Sequence, residues 1–134
     1  MSAPQSVTIA VDIGQQETAG VADENDYYTC HGQSGEWRLV AAYYMPEIST
    51  AAAGSNYFSL TIGQGVAGSS TDCTSALTNA TTLHTLGVAR SFTMTETPSR
   101  VFGASDTIIV ELEETGASAN IAGVVVMSFT QVRG

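Results

Sequence analysis

The side chains with the greatest nucleophilic potential in this sequence are two cysteines and two histidines: Cys30, His31, Cys73 and His84. A catalytic thiol needs a histidine within hydrogen-bond reach. Cys30 and His31 are neighbours at a predicted strand, where successive side chains point to opposite faces of a sheet. No sequence pattern links Cys73 with His84. We therefore interpret the histidines as structural residues, one in a turn and one in a strand, and predict no catalytic residue.

The two cysteines also limit cross-linking and metal binding. Cys30 and Cys73 are too few and too widely spaced for a zinc site, which is built from close cysteine pairs. They form one disulfide if the fold places them together, and otherwise remain two free thiols. Free thiols are the favoured interpretation, because the N-terminal sequence predicts a protein made in the reducing cytoplasm.

Two groups of carboxylates are the next candidates. Residues 23–26 form an acidic loop that offers oxygen ligands to calcium, but the spacing and the missing glycine do not match an EF-hand. Glu111 and Glu113 share one face of a predicted strand, which is one requirement for glycoside hydrolysis by paired carboxylates. The sequence shows no groove for a sugar chain. We predict solvated acids, with no metal and no cofactor.

Aromatic side chains suggest one further chemistry, the stacking of sugar rings. The candidates for such a platform are Trp37, Tyr43, Tyr44 and Tyr57. Aromatic side chains within strands usually belong to a core or to a subunit interface. Sugar binding is therefore the alternative hypothesis for these residues.

The composition describes an acidic protein with few charges. Of 134 residues 13% are charged, and thirteen acids against four arginines, without any lysine, give a net charge of −9. Such a surface repels phosphate backbones, so we exclude nucleic acid as a partner.

The length predicts a single domain, residues 1–134. No apolar run approaches the roughly 20 residues of a membrane span. The first residues lack the basic start of a signal peptide, which predicts synthesis in the cytoplasm.

These side chains must be positioned by strands, because apolar residues alternate with a period of two along most of the chain. Strands are predicted at residues 6–13, 26–31, 36–45, 57–62, 83–88, 90–95, 107–113 and 124–130. No amphipathic helix of ten residues or more is recognisable. Short strands with Gly- and Ser-rich connections predict an all-β fold, a two-sheet antiparallel β-sandwich. About eight strands fit a jelly roll, with other Greek-key sandwiches or barrels as alternatives.

Residues 106–132 are the organising element, and their two apolar runs predict a central β-hairpin around the loop 114–122. Both faces of residues 124–126 are apolar, which is more than one exposed sheet surface needs. The strand 36–45 likewise has apolar residues on both sides. We predict that the surplus faces contact another subunit. The predicted interface residues are Val40, Tyr44, Val124 and Val126.

From residue 37 onward the sequence resembles small virion proteins of tailed bacteriophages. Four stretches carry the resemblance: WRLVAAYYMPE, NYFSLTIGQG, TSALTNATTLHTLGVARSFTMT and SDTIIVELEETGASANIAGVVVMSFTQV. They cover about three quarters of the chain, and the first 36 residues depart from the pattern. The resemblance implies a β-sandwich or jelly-roll protein that decorates a capsid, often as a trimer, with no catalytic residues.

We therefore expect a capsid decoration (cement) protein that binds the major capsid protein on the outer head surface as a homotrimer and reinforces the shell. Residues 1–5 are expected to form an extended N-terminal arm, and the protein is expected to be made in the host cytoplasm. The alternative is a carbohydrate- or receptor-binding module of a fibre or tail tip. A small hydrolase of cupin type is a third class, for which two histidines give little support.

Overall fold

The computed structural model describes residues 5–15, 24–116 and 121–134. Within these ranges the chain forms β-strands and one short 3-10 helix at Pro98–Arg100. The strands are β1 (Ser6–Gln15), β2 (Glu24–Thr29), β3 (Glu36–Pro46), β4 (Tyr57–Gln64), β5 (Thr71–Asp72), β6 (Leu77–Thr78), β7 (Arg90–Ser91), β8 (Val101–Phe102), β9 (Ile108–Thr115) and β10 (Ile121–Arg133). Three stretches lie outside the described residues. They are residues 1–4 of the predicted N-terminal arm, residues 16–23, which include the first residue of the acidic loop, and residues 117–120 of the predicted hairpin loop.

The strands form two antiparallel sheets that pack face to face. The first sheet has the order β1-β10-β3, with the short strands β7 and β8 both paired to β3. The second sheet has the order β2-β9-β4, with β5 and β6 both paired to β4. When β5 with β6 and β7 with β8 are each taken as one interrupted strand, eight strand positions remain, and they follow the order of a jelly roll. The predicted β-sandwich is confirmed.

The core lies between the sheets and is filled by the inward side chains of both. Leu39 and Phe129 of the first sheet and Phe58, Leu60 and Leu112 of the second are fully buried in one continuous cluster. The predicted inward face of β4 is confirmed, because its alternation brings every second side chain into this cluster.

The predicted C-terminal hairpin is wrong. β9 pairs with β2 and β4 in the second sheet, while β10 pairs with β1 and β3 in the first. The chain thus changes sheet between Thr115 and Ile121. An alternating pattern specifies that a segment is a strand and which face is buried, but it does not specify the neighbour. Each run forms a central strand with a neighbour on either side.

A β-bulge at Val40 changes which side chains of β3 point toward the core. Ser128 pairs with Ala41 and Phe129 with Leu39, so Val40 has no partner on β10. The extra residue shifts the alternation by one position. Side chains before the bulge point inward at odd numbers, and those after it point inward at even numbers.

The most important consequence of this shift is the position of Tyr44. It is completely buried in the core, and its hydroxyl donates a hydrogen bond to the Ala122 carbonyl at 3.1 Å. Its ring lies over Gly123, where a methyl group would overlap both the ring and the Met45 carbonyl. The prediction of Tyr44 as a subunit-interface residue is therefore wrong, and Tyr43 takes the outward position instead.

The predicted strand at residues 83–88 is also wrong, because this segment is a loop. Only His84 makes a strand-like bridge, to Thr50. Gly87 has a φ of +76°. This left-handed conformation is incompatible with a regular β-strand. The next predicted strand, residues 90–95, is reduced to β7, and its buried Phe92 still enters the core.

Candidate subunit interface

His31 is a structural residue, as predicted. Its side chain is buried, and Nδ1 accepts a hydrogen bond from the Gln33 amide at 3.1 Å. The opposite nitrogen, Nε2, lies 3.1 Å from the Phe102 carbonyl and therefore donates to it. Both ring nitrogens are occupied in holding the turn after β2 against β8. The neighbouring Cys30 thiol is exposed and free.

Cys73 is a buried free thiol rather than a nucleophile. Its Sγ donates a hydrogen bond to the Ser99 carbonyl at 3.1 Å. Burial raises the pKa of the thiol to about 12, with a smaller contribution from the Asp72 carboxylate, while the Arg100 charge opposes the shift. A thiol of such high pKa is protonated at neutral pH and has little nucleophilic character.

His84 is buried between the two sheets. Its ring packs against Tyr44 at 5.6 Å and edge-on against Phe58 at 5.0 Å. Nε2 lies 3.2 Å from the Thr78 carbonyl, which makes it the protonated nitrogen of a neutral ring. Burial and, to a smaller extent, the charge of Arg90 lower the pKa of His84 to about 4, against the hydrogen bond to Thr78. The other ring nitrogen, Nδ1, is buried without a hydrogen-bond partner among the described residues.

Of the acidic cluster at residues 23–26, Asp23 lies outside the described residues. Within residues 5–15, 24–116 and 121–134, no group of three or more His, Cys, Asp or Glu side chains is placed to hold a metal ion. Glu111 and Glu113 share the outer face of the second sheet, as predicted, whereas Glu114 is buried on the opposite face. A hydrolytic role for Glu111 and Glu113 stays an untested hypothesis.

The aromatic platform for sugars is not formed. Trp37 and Tyr44 are buried in the core, and the Trp37 Nε1–H donates to the Ser34 carbonyl at 2.9 Å. The two most exposed tyrosines lie on different sheets, Tyr28 on β2 and Tyr43 on β3. The alternative hypothesis that these four aromatics line one sugar site is wrong, because Trp37 and Tyr44 lie in the core and Tyr57 belongs to the other sheet.

The outer face of the first sheet carries an apolar surface. Within the described part of the chain, no segment is hydrogen-bonded across this surface. Ala10, Val126 and Tyr43 form one cross-strand row, because residues paired directly across strands share a face. Val124 and Met45 form part of the next row. We call this surface the outer apolar face, and its principal residues are Val40, Tyr43, Val124 and Val126.

The exposure of these residues is high for apolar side chains. Val40 is 43% exposed and Tyr43 is 36% exposed, while Val124 and Val126 are partly exposed. Three of the four residues predicted for the interface thus lie on the outer apolar face, and their role as an interface stays a prediction. The fourth position was misplaced because the sequence gives no signal for a bulge at Val40.

A second apolar surface lies on residues 83–88, which we call the apolar loop. Its large apolar side chains are each more than half exposed: Leu83, Leu86 and Val88. The loop is anchored to the end of β3 by a hydrogen bond from the Gly87 amide to the Pro46 carbonyl at 2.9 Å. This bond places the apolar loop next to the end of β3 that carries Met45.

The outer face of the second sheet is covered by the chain itself in the part around Ile109. Ile109 lies on this face and is fully buried. Residues 65–70 hydrogen-bond to both sides of it, from the Ala67 amide to the Tyr28 hydroxyl at 3.2 Å and from Ser70 Oγ to Glu111 Oε1 at 2.8 Å. The segment therefore acts as an intramolecular cover that the first sheet lacks in the described structure.

Among the described residues, no helix has the length and apolar content that a membrane crossing requires.

Comparisons with known proteins give little similarity. No protein-family model matches the chain, and no curated protein matches it. Among solved structures it is similar to a chain in the structure of infectious bursal disease virus Gx strain, with 12% identity and a TM-score of 0.43 over 97% of this chain and 33% of that chain. It is also similar to a chain in the structure of the Gt strain of that virus, with 12% identity and a TM-score of 0.24 over 98% of this chain and 42% of that one. This chain spans about a third of the length of the first of these and less than half of the second.

Proposed function

We propose that this protein is a structural component of a bacteriophage virion, a capsid decoration (cement) protein that binds the outer head surface as a homotrimer. The observation that carries the proposal is the outer apolar face, together with the apolar loop beside it. A soluble β-sandwich gains nothing from exposing such a surface unless another subunit covers it. The resemblance of the sequence to small phage virion proteins supports the same role.

The proposed mechanism is the sum of many weak contacts. Subunits of a trimer that bind neighbouring major capsid proteins act together, so the second and third contacts form at high effective concentration. No single tight site is required. The net charge of −9 favours the exterior of the particle over contact with packaged DNA.

The proposed role is structural rather than enzymatic, and the positions of the nucleophilic groups support it. His31 uses both ring nitrogens to hold backbone, and His84 is held neutral between two aromatic rings. The Cys73 thiol donates a hydrogen bond to the Ser99 carbonyl. These three side chains are buried and are not available to a substrate.

The test uses phage heads that were assembled in the absence of this protein. Added protein should bind in a saturable manner, and an electron-microscopy map should place it on the outer surface. Val126→Glu introduces a charge into the outer apolar face and should bind at least a hundredfold more weakly, because a monomer loses the avidity of the trimer. Ala52→Glu adds the same charge at an exposed loop position and should bind like the wild type. A map that places the chain in the tail or a fibre, or shows no binding to heads, would refute the proposal.

A further inference from the structure

An open cleft of about 730 Å³ lies where β3 begins and β10 ends. Arg38, Arg100 and Arg133 line it together with Glu36 and Glu96. These are three of the four basic side chains in the protein but only two of its thirteen acids. In a chain of net charge −9, the cleft is therefore the place where positive charge is concentrated.

Arg38 is the least compensated of these charges. Its side chain is exposed on β3, opposite Val101 of β8 and Thr130 of β10. Among the described residues it has neither a hydrogen-bond acceptor nor an ion-pair partner. A guanidinium carries five N–H donors in a fixed fork, and all of them are free to meet an incoming acceptor.

Arg100 is fixed at the floor of the cleft. Its Nε donates to the Leu39 carbonyl and its Nη1 to the Thr95 carbonyl, each at 3.1 Å, and the side chain is only 16% exposed. Its nearest carboxylate, on Glu96, is 3.7 Å away and completely exposed. An ion pair of this kind contributes little, so most of the Arg100 charge remains uncompensated toward the cleft.

Arg133 forms an ion pair in which another carboxylate can replace its partner. Its Nε lies 3.0 Å from Glu36 Oε2, and both side chains are substantially exposed. Exposed pairs are worth only about 0–1 kcal/mol, so a second carboxylate can share or replace Glu36. The cleft thus combines one fixed cation, one free cation and one exchangeable cation.

We propose that this cleft binds a carboxylate-bearing peptide segment of a partner protein. The planar fork of a guanidinium matches a carboxylate in a bidentate manner. The carboxylates of Glu36 and Glu96, which also line the cleft, disfavour a dianionic phosphate more than a singly charged carboxylate. Arg38 is two residues from Val40, but none of the four principal residues of the outer apolar face lines the cleft. The proposal does not depend on the virion role.

The test uses a blocked tetraglutamate peptide as the probe, with a blocked tetraglutamine peptide and inorganic phosphate as comparisons. Arginine side-chain N–H signals are followed by nuclear magnetic resonance, which is feasible because the chain has only four arginines. Tetraglutamate should shift the signals of Arg38 and Arg133 and leave that of Arg90, the arginine outside the cleft, unchanged. Binding should weaken as salt is added, because the contacts are electrostatic.

Two variants separate the cleft from net charge. Arg38→Gln should weaken tetraglutamate binding about tenfold, whereas Ala52→Glu, which changes the net charge equally outside the cleft, should change it less than twofold. Equal affinities for Arg38→Gln and the wild type would overturn the proposal. So would binding of tetraglutamine or phosphate as tight as that of tetraglutamate, because this would indicate an unspecific or adventitious anion site. None of these results depends on whether the protein is a trimer or binds phage heads.

Discussion

The two sheets of this sandwich share one core but differ in what covers their outer faces. On the second sheet, residues 65–70 reach back over Ile109 and bond to its neighbours. On the first sheet, Val124 and Val126 have no such cover in the described structure and remain partly exposed. The outward side chains of β10 include Val124 and Val126, whereas those of β9 are Ile109 and the polar residues Glu111, Glu113 and Thr115. The two outer faces therefore differ in side-chain composition as well as in their cover. A face that the chain covers itself belongs to the fold, and a face that it leaves open is available to another subunit.

The largest expected effect concerns the close approach of backbone and side chain in the first sheet. Gly123→Ala should lower the free energy of unfolding by about 3 kcal/mol, because the added methyl group overlaps the Tyr44 ring and the Met45 carbonyl. Gly63→Ala is the matched change in the second sheet. It should cost about 1 kcal/mol, since its methyl group would lie 3.0 Å from the Thr71 carbonyl and 3.3 Å from Ile109. Urea unfolding followed by circular dichroism measures both, and a reversed order would show that Tyr44 does not occupy this position.

Truncation of the two outer faces should separate a covered side chain from an open one. Ile109→Ala should destabilise the protein by about 2–3 kcal/mol at every protein concentration, because it removes buried methyl groups under the cover. Val124→Ala should cost less than about 1 kcal/mol in a dilute monomer, and its cost should grow with protein concentration if subunits associate through this face. Thermal unfolding over a hundredfold range of concentration tests this, and a concentration-independent effect of Val124→Ala would contradict an interface there.

His84 lies between the sheets and should make the stability of both depend on pH. Its pKa is about 4 in the folded protein, below the ordinary value of 6.5, so the unfolded chain binds the proton more readily. The contribution of His84 to the free energy of unfolding is therefore fully present above pH 6.5 and is lost as the pH falls toward 4. The loss between pH 7 and pH 4.5 should be about 2 kcal/mol. In His84→Gln this part of the pH dependence should disappear. A variant that retains the full dependence would assign it to other groups.

The smallest effect concerns the charges on the second sheet. Asp26 faces Glu111 directly across the β2–β9 pair, and one carboxylate oxygen of Asp26 is buried without a hydrogen-bond partner. Like charges directly opposite each other are unfavourable. Asp26→Asn should raise the free energy of unfolding by about 0.5 kcal/mol. A loss of stability in urea unfolding would indicate that the Asp26 charge has a favourable partner.

The fold class was predictable because alternation is a local property. The pattern of Phe58, Leu60 and Ile62 identified the buried face of β4, and the same reasoning located β1, β3, β9 and β10. The partners of β9 and β10 were not predictable, because a central strand looks the same in either sheet. A one-residue bulge at Val40 has no signature in composition, and it moved Tyr44 from the predicted interface into the core.

The arginine cleft could not be predicted for a different reason. Arg38, Arg100 and Arg133 are far apart in the sequence, and only the pairing of β3 with β8 and β10 brings them together. The sequence does show how few basic residues the chain has. It contains no indication that three of them meet.

Sedimentation velocity at micromolar concentration tests the role of the open face of the first sheet most directly. The wild-type protein and Ala52→Glu should sediment as trimers, and Val126→Glu should sediment as a monomer with unchanged circular dichroism. A wild-type protein that sediments as a monomer at every accessible concentration, or a Val126→Glu variant that remains a trimer, would contradict the assignment of this face as a subunit interface.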